Sequence, residues 1–196
     1  MKSMMKEVGT SIAATIALGV ILCGFYPAAV WVAARAFPSR ASGSLVEVQG
    51  RVVASELLGQ HFAADRYFHP RPSAAGNGYD AANSGGSNLG PLSQKLVDAV
   101  KDRVAQYRKE NGLDGSLLVP ADAVLASASG LDPHITVKNA GLQVKRVASA
   151  RGMREETLRQ LVEQRMEGRD LGVLGEPRIN VVLLNLALDR YPGGKP

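Results

Sequence analysis

Residues 8–34 read VGTSIAATIALGVILCGFYPAAVWVAA, and these 27 residues include no Asp, Glu, Lys or Arg. As a helix rising about 1.5 Å per residue, the stretch extends roughly 40 Å, longer than the ~30 Å hydrocarbon core of a bilayer. Basic residues flank it on both sides, and aromatic side chains crowd its C-terminal end, where they favour the headgroup level. The pattern predicts a transmembrane helix over residues 8–36.

A cleaved signal peptide is the alternative for this stretch. Its apolar region is normally about 7–15 residues long, much shorter than the one here, so we predict an uncleaved anchor. Pro27 is expected to kink the helix or to mark the end of its most apolar part. Gly9, Ala13 and Ala17 form a small-residue stripe that would let another helix approach closely, although small residues are also simply common in such spans. The flanking charges do not determine the orientation.

The chain has 196 residues and a formal charge of +5. Residues 1–40 carry +3 of that charge, which leaves +2 for the remainder. Basic side chains there are scattered, without the interleaved aromatics that stack on bases, so nucleic acid is excluded as a partner. A set of arginines is accompanied by glutamates, which favours a solvated helix face with ion pairs; these arginines are Arg146, Arg151, Arg154, Arg159, Arg165 and Arg169.

The remaining residues predict an α+β domain. Two short strands are expected over 44–48 and 51–54, followed by a mostly irregular region to residue 90. Helices are predicted from Pro91 to Gly112, over 120–128, after a capping Thr136, and over 154–167. The apolar run 179–189 predicts a buried strand that could pass into helix. The predicted organisation is a tail (1–7), a transmembrane helix (8–36), a linker (37–43) and a soluble domain (44–196).

The sequence offers little for catalysis. The three histidines, His61, His69 and His134, stand in no metal-binding spacing, and we expect buried or capping roles for them. No GxSxG, Walker A or GxGxxG motif is present. We therefore expect a protein that is not an enzyme by itself and has no metal site.

One loop has the composition of an anion site. Residues 79–91 read YDAANSGGSNLGP, and two glycines that adopt positive φ would expose successive N–H groups ahead of a helix. A tight surface turn explains the same residues and is favoured by the spacing alone. The candidate binding residues are Ser84, Gly85, Gly86, Ser87 and Asn88. The segment 129–134, SGLDPH, is expected to be a loop before a capped helix.

Seven distinctive stretches follow in order along nearly the whole chain: GFYP (24–27), YFHPRPS (67–73), SGGSNLGP (84–91), SASGLDPHI (127–135), RVASAR (146–151), GEPRINV (175–181) and LNLALD (184–189). With these stretches the sequence resembles a known family, the C subunit of the bacterial Kdp potassium-transporting P-type ATPase.

The resemblance implies a single-pass accessory subunit of a high-affinity potassium uptake pump. Its partners would be a potassium-channel-like subunit and a P-type subunit that hydrolyses ATP, and its role would be to stabilise that complex. It also implies a catalytic chaperone that raises the affinity of the catalytic subunit for ATP through residues 84–88, so that ATP would be shared and the chain would have no cofactor of its own. The implied location is the bacterial inner membrane, with the soluble domain on the outer face.

A rival interpretation from the residues alone is an independent membrane-tethered protein that captures a small anionic ligand at residues 84–88. A subunit should co-fractionate with large partners. A free-standing receptor should be monodisperse as its soluble domain and should bind its ligand.

Overall fold

The structure, a computed structural model, describes residues 2–191 of the chain. It divides into two compact units, Met1–Leu45 and Val46–Pro196. Met1 of the predicted tail and residues 192–196 of the predicted soluble domain lie outside the described residues.

The first unit is dominated by one long apolar helix. It comprises α1 (Lys2–Val20), a π-helical turn (Ile21–Phe25) and α2 (Tyr26–Ala34), and a short helix α3 (Pro38–Ala41) follows. The continuous stretch Ser3–Ala34 is long and apolar enough to cross a membrane, and none of its most apolar window is buried within the chain. The candidate span predicted from the sequence is therefore present as a helix, which begins at Lys2, inside the segment predicted as a tail.

The π-helical turn lies where Pro27 enters the helix. A proline has no N–H to donate, and its ring crowds the carbonyl four residues earlier, here that of Cys23. The widened turn Ile21–Phe25 includes that carbonyl, and the Tyr26 N–H donates to the Ile21 carbonyl oxygen, five residues back. The helix thus accommodates Pro27 by one π-type turn and continues to Ala34.

The second unit contains the remaining helices and strands. They are β1 (Leu45–Val48), β2 (Arg51–Ser55), a 3-10 turn (Ala81–Asn83), α4 (Gln94–Asn111), a second 3-10 turn (Ala121–Ala123), β3 (His134–Thr136), α5 (Val137–Arg151), α6 (Glu155–Gln164), β4 (Met166–Glu167), β5 (Arg178–Asn180) and α7 (Val181–Asp189). Strands β1 and β2 form a two-stranded sheet, and β3, β5 and β4 form an antiparallel three-stranded sheet with β5 in the middle. The α+β class predicted from the sequence is confirmed.

The hydrophobic core of this unit lies between α5, α6, α7 and strand β5. Ile179 at the centre of β5 pairs with Ile135 of β3, and both are buried. Phe68, from the long irregular region, is fully buried in the same cluster. Its backbone N–H donates to the Asn185 side chain of α7, whose amide donates back to the Phe68 carbonyl oxygen. Asn185 thereby satisfies both backbone groups of a loop residue inside the core.

Several sequence predictions are confirmed. The β1–β2 pair and the Thr136 cap on α5 are present, and helix α6 lies within the predicted range 154–167, with Leu158 and Leu161 buried. The Thr136 hydroxyl accepts a hydrogen bond from the Asn139 N–H at 3.1 Å.

Other boundaries differ from the predictions. Helix α4 begins at Gln94 rather than at Pro91, and the predicted helix over 120–128 is only a three-residue 3-10 turn. The prediction of a helix over 154–167 ends too late, because α6 stops at Gln164 and β4 follows. The run 179–189 passes from strand into helix near its beginning, because β5 ends at Asn180 and Val181–Asp189 is α7.

The predicted solvated arginine face is wrong for two of its members. Arg146 is 8% exposed and Arg151 is 2% exposed. The Arg146 guanidinium donates to the carbonyl oxygens of Asp65 and Tyr67, at 2.7 and 3.0 Å. Both arginines fix the irregular region to the helices, whereas Arg159 fits the prediction, with an exposed i, i+4 pair to Glu155.

Candidate functional site

The candidate anion loop, residues 84–88, has no regular secondary structure and lies between the first 3-10 turn and α4. Asp80 precedes it and caps the 3-10 turn, since its carboxylate accepts from the Ala82 N–H and the Asn83 side chain. The loop does not run directly into α4, which begins at Gln94. The direct connection to a helix N-terminus that the sequence predicted is therefore absent.

The two glycines of the loop do not adopt the backbone conformation that was expected. Neither Gly85 nor Gly86 has a positive φ, and Asn88 is the residue of the loop in the left-handed region, at φ 52°. The Gly85 N–H donates to the Ser129 carbonyl oxygen at 2.9 Å, and the Ser84 hydroxyl donates to the same oxygen at 3.0 Å. The first half of the loop is thus attached to the segment 127–134, which we call the seat.

Glycine is required in both segments because their backbones touch. A Cβ atom on Gly86 would lie 3.0 Å from the Ala128 carbonyl oxygen. A Cβ atom on Gly130, which has φ +68°, would lie 2.6 Å from both the Gly85 carbonyl oxygen and the Ala75 nitrogen. Real Cβ atoms essentially never come as close as 2.6 Å, and 3.0 Å is tighter than most real Cβ contacts, so both glycines serve the packing of the loop against the seat.

The second half of the loop keeps its polar groups available. Ser87 and Asn88 are exposed and make no hydrogen bond within the part of the chain that the structure describes. The same holds for the N–H of Gly86. The loop can therefore present three backbone donors and two short polar side chains to an anion or to another protein.

Hydrogen bonds within the seat and to the irregular region hold the backbone of the seat in place. The Ser129 hydroxyl oxygen accepts from the Leu131 N–H at 3.1 Å, and the Leu131 carbonyl oxygen accepts from the Gly59 N–H at 2.7 Å. The Ser73 hydroxyl donates to the Gly130 carbonyl oxygen at 2.7 Å and accepts from the Tyr79 N–H at 2.7 Å. The irregular region that precedes residue 84 is thereby joined to the seat at Gly59 and at Ser73.

An ion-pair chain begins at the end of the seat. Asp132 accepts from Arg71 at 2.9 Å and lies 3.2 Å from His134 Nδ1. The other ring nitrogen of His134 lies 3.3 Å from Glu167, which also accepts from Arg178 at 3.0 Å. The ion-pair chain links the irregular region, the seat, β4 and β5, and all of its members except Glu167 line a pocket of about 320 Å³.

The pKa of Asp132 reflects these contacts. Burial acts to raise the pKa of this carboxyl, but the hydrogen bonds from the His134 ring and backbone, together with the charge of Arg71, outweigh burial and hold the pKa below its usual value. Asp132 is therefore ionised at neutral pH and contributes a negative charge to the ion-pair chain.

A larger cleft of about 660 Å³ lies on the other side of Arg71. His61, His69, Tyr79, Arg103, Tyr107 and Glu110 are among the residues that line it. His61 is exposed beside the Tyr79 ring, at a centroid distance of 5.9 Å, so the expected buried or capping role is wrong for this histidine.

His69 is half-buried in the same cleft. Burial lowers its pKa, and the neighbouring Arg146 lowers it further, with partial opposition from a hydrogen bond to the Ala64 carbonyl and from Glu110. His134 is half-buried in the ion-pair chain, so neither of these histidines caps a helix.

Sequence reasoning missed the ion-pair chain. Its members are far apart in the sequence, and only the Asp132-Pro133-His134 order offered a signal: an Asp that accepts from the N–H two residues on, here at 3.0 Å. The same reasoning found the loop and the seat but not their contact, since the pairing of two glycine-containing segments leaves no periodic pattern.

The chain is similar to known proteins along its whole length. The family model of the K⁺-transporting ATPase c chain matches residues 8–190. The chain is 51% identical over 194 residues to the potassium-transporting ATPase KdpC subunit of Nitratidesulfovibrio vulgaris, and the aligned residues make up 98% of each of the two chains. The same-named subunits of Koribacter versatilis and Mycobacterium bovis BCG are 50% and 52% identical, over 95% and 90% of this chain and 95% and 92% of their own length.

The match includes the candidate membrane span, the loop, the seat and all five members of the ion-pair chain, since each lies between residues 8 and 190. The chain belongs to the family of the c chain of the K⁺-transporting ATPase, and is a subunit of that complex.

Proposed function

We propose that this chain is a non-catalytic accessory subunit that stabilises an ATP-driven, high-affinity potassium uptake complex. The observation that carries the proposal is the family match over residues 8–190, which includes the candidate span and the folded unit together. The chain thus shares the whole organisation of its relatives rather than one domain of them.

The proposed partners are a potassium-channel-like subunit and a P-type subunit that hydrolyses ATP. A single helix cannot enclose a pore. The apolar surface of this helix is exposed within the chain and is therefore available for packing against other membrane helices. Gly9, Ala13 and Ala17 stand on one stripe of α1, where a second helix could approach closely. This supports a role of the helix in assembly in addition to anchoring.

The experiment is a co-purification from potassium-starved cells in a mild detergent, with the chain carrying a C-terminal tag. We expect two large polytopic companions in constant proportion, one of which forms an acid-stable phosphoenzyme. Deleting the chain should lower the yield of the intact companion pair. A chain recovered alone, intact and folded would contradict the proposal and favour the independent anion-binding protein.

For residues 84–88 we propose an effect on the ATP affinity of the catalytic subunit. The support is the exposed second half of the loop, whose donors at Gly86, Ser87 and Asn88 suit a phosphate oxygen. Asn88→Asp is the sharpest variant, because Asp also tolerates the left-handed conformation while its charge repels phosphate. Gln164→Glu adds the same charge at another exposed position and serves as the control.

We expect Asn88→Asp to raise the KM for ATP of the assembled pump several-fold and Gln164→Glu to leave it unchanged. Equal KM values in two complexes that assemble equally well would end this part of the proposal. Gly86→Val is unsuitable for the test, because the added atoms would disrupt the contact with Ala128.

We propose the bacterial inner membrane as the location, with the soluble unit on the outer face. That placement would separate residues 84–88 from cytoplasmic ATP, so topology decides between a direct and an indirect effect on ATP affinity. Ser87→Cys combined with Cys23→Ser gives one exposed thiol in the loop. Labelling by an impermeant maleimide in intact spheroplasts indicates the outer face, and labelling only in inverted vesicles would contradict it.

A further inference from the structure

The connection between β4 and β5 ends in an exposed apolar turn, residues 171–174, which we call the apolar tip. Leu171 is 90% exposed, Val173 is 72% exposed and Leu174 is 57% exposed. Three large aliphatic side chains within four residues on the surface form a cluster rather than the scattered exposure that is normal for soluble proteins.

The backbone of the apolar tip is a tight hairpin turn. Asp170 and Leu174 exchange two backbone hydrogen bonds, each of 2.9 Å. The two residues that follow Asp170, Leu171 and Gly172, have φ values of 53° and 78°. The Val173 N–H also donates to the Asp170 carbonyl oxygen at 3.2 Å, so residues 170–173 form a turn with two positive φ angles at its centre. These angles are typical of a type I′ turn, in which the first central residue is normally Asn, Asp or Gly.

Leucine is therefore an unfavourable residue for the backbone at position 171. An L-residue with a bulky side chain strains the left-handed conformation, which Gly or Asn adopts easily. The side chain returns nothing to the fold, because it is 90% exposed and belongs to no part of the core. Leu171 is thus unfavourable both for its exposure to water and for its backbone conformation. A contact of this side chain with another molecule would account for its presence.

Charged residues hold the base of the apolar tip in place. Arg178 binds Glu167 at 3.0 Å and Asp170 at 3.4 Å, and Arg169 lies 3.4 Å from Glu176. These pairs cross from one arm of the hairpin to the other. The three aliphatic side chains are thus presented on a defined backbone before any partner binds, which lowers the entropic cost of binding.

We propose that the apolar tip inserts into an apolar socket on another subunit of the K⁺-transporting ATPase. This inference rests on the proposed function, because it requires the chain to work within the complex. A protein socket recognises shape, which accounts for a preformed turn with leucine at a strained position. The charges near the turn favour the same occupant over an anionic membrane surface, because three acids balance three arginines: Glu167, Asp170 and Glu176 against Arg165, Arg169 and Arg178.

The first test uses the complete complex, immobilised through a tag on its catalytic subunit. Leu171→Asn removes the apolar side chain and also relieves the backbone, so the variant should fold at least as well as the wild type. We expect the chain to leave the complex roughly tenfold faster, the effect of losing one buried anchor side chain. Leu171→Met keeps an apolar side chain and should restore most of the retention.

Leu118→Asn is the matched control, since Leu118 is 76% exposed on a different loop and should be replaceable without effect. Equal release rates for wild type and Leu171→Asn would overturn the inference while leaving the proposed function intact. A wild-type chain that never co-purifies with its companions would overturn both.

The second test places a photo-crosslinking amino acid at position 171 of the full chain within membranes. A crosslink to one identified companion subunit supports the inference. Crosslinks to lipid alone, or to a second copy of this chain, would overturn it.

Discussion

Arg151 is 2% exposed, and its guanidinium bonds three parts of the fold. It donates to the Arg66 carbonyl oxygen at 2.7 Å, to the Leu188 carbonyl oxygen at 3.3 Å and to the Asp189 carboxylate at 2.7 Å. Arg151→Met fills the space but removes the bond to the Arg66 carbonyl oxygen and the charge partner of Asp189, at about 1–3 kcal/mol for each interaction. We expect a loss of about 3 kcal/mol of unfolding free energy, measured as a lower midpoint in thermal or urea denaturation.

The matched control at the residue scale is Arg159→Met. Arg159 pairs with Glu155 at 2.9 Å on α6, and both side chains are about half exposed. Such a pair contributes only about 0.3–0.5 kcal/mol, so the midpoint should hardly move. Comparable losses of unfolding free energy for Arg151→Met and Arg159→Met would contradict the conclusion that the buried Arg151 guanidinium stabilises the fold.

The lowered pKa of His69 predicts a pH dependence of stability. Burial and Arg146 keep this imidazole neutral in the folded state, whereas the unfolded chain protonates near pH 6.5. Above that pH the stabilising effect is complete, and it is lost as the pH falls from about 6.5 towards the folded-state pKa. His69→Gln should therefore show a smaller drop in melting temperature than the wild type between pH 7.5 and pH 5.5.

At the scale of elements, the run 179–189 shows why a continuous apolar stretch misleads. Its composition predicts a buried strand that could pass into helix, and the passage comes early, because only Arg178–Asn180 is strand and Val181–Asp189 is helix. Two signals in the sequence favour the helix: Asn180 is a good N-terminal cap, and the buried positions Val181, Leu184 and Leu188 follow helical spacing. Apolar residues between those positions hide the periodicity.

The cap of α7 gives a prediction at the same scale. The Asn180 carbonyl oxygen of the side chain accepts from the Leu183 N–H at 3.2 Å, and its amide donates to the Glu56 carbonyl oxygen at 2.8 Å. Asn180→Ala removes both bonds and should cost about 2 kcal/mol of unfolding free energy. Asn180→Ser keeps a capping oxygen without the amide donor and should lose less, as judged from urea midpoints. Equal losses for the two variants would show that the cap does not contribute.

The candidate loop was predictable in position but not in conformation. Glycine and short polar residues at 84–88 predicted a loop with the composition of an anion site. The close packing of Gly86 and Gly130, however, depends on the contact of this loop with a segment some 45 residues away in the sequence. Non-local contacts of this kind leave no local pattern in the sequence. The ion-pair chain from Arg71 to Arg178 was missed for the same reason.

At the scale of the whole molecule, the long apolar helix was the most predictable feature. A bilayer imposes a length and an apolar composition on one continuous segment, so residues 8–34 alone were sufficient to predict a helix that is a candidate span. The α+β domain required the pairing of β3, β5 and β4, of which only two or three residues each take part. Strands that short carry almost no alternation, and their pairing follows from the core around Ile179.

The single cysteine turns the choice between anchor and cleaved signal peptide into a measurement. Cys23 lies within the candidate span, and no other cysteine occurs in the chain. An uncleaved anchor keeps this thiol, and the bilayer shields it from a water-soluble maleimide until the membranes are dissolved in denaturing detergent. We expect no labelling of the purified membranes and stoichiometric labelling after denaturation, detected as a mass shift of the full chain. A mature protein that stays unlabelled in denaturant, with a mass lacking the N-terminal segment, would show that the helix is removed and that assembly depends on the soluble unit alone.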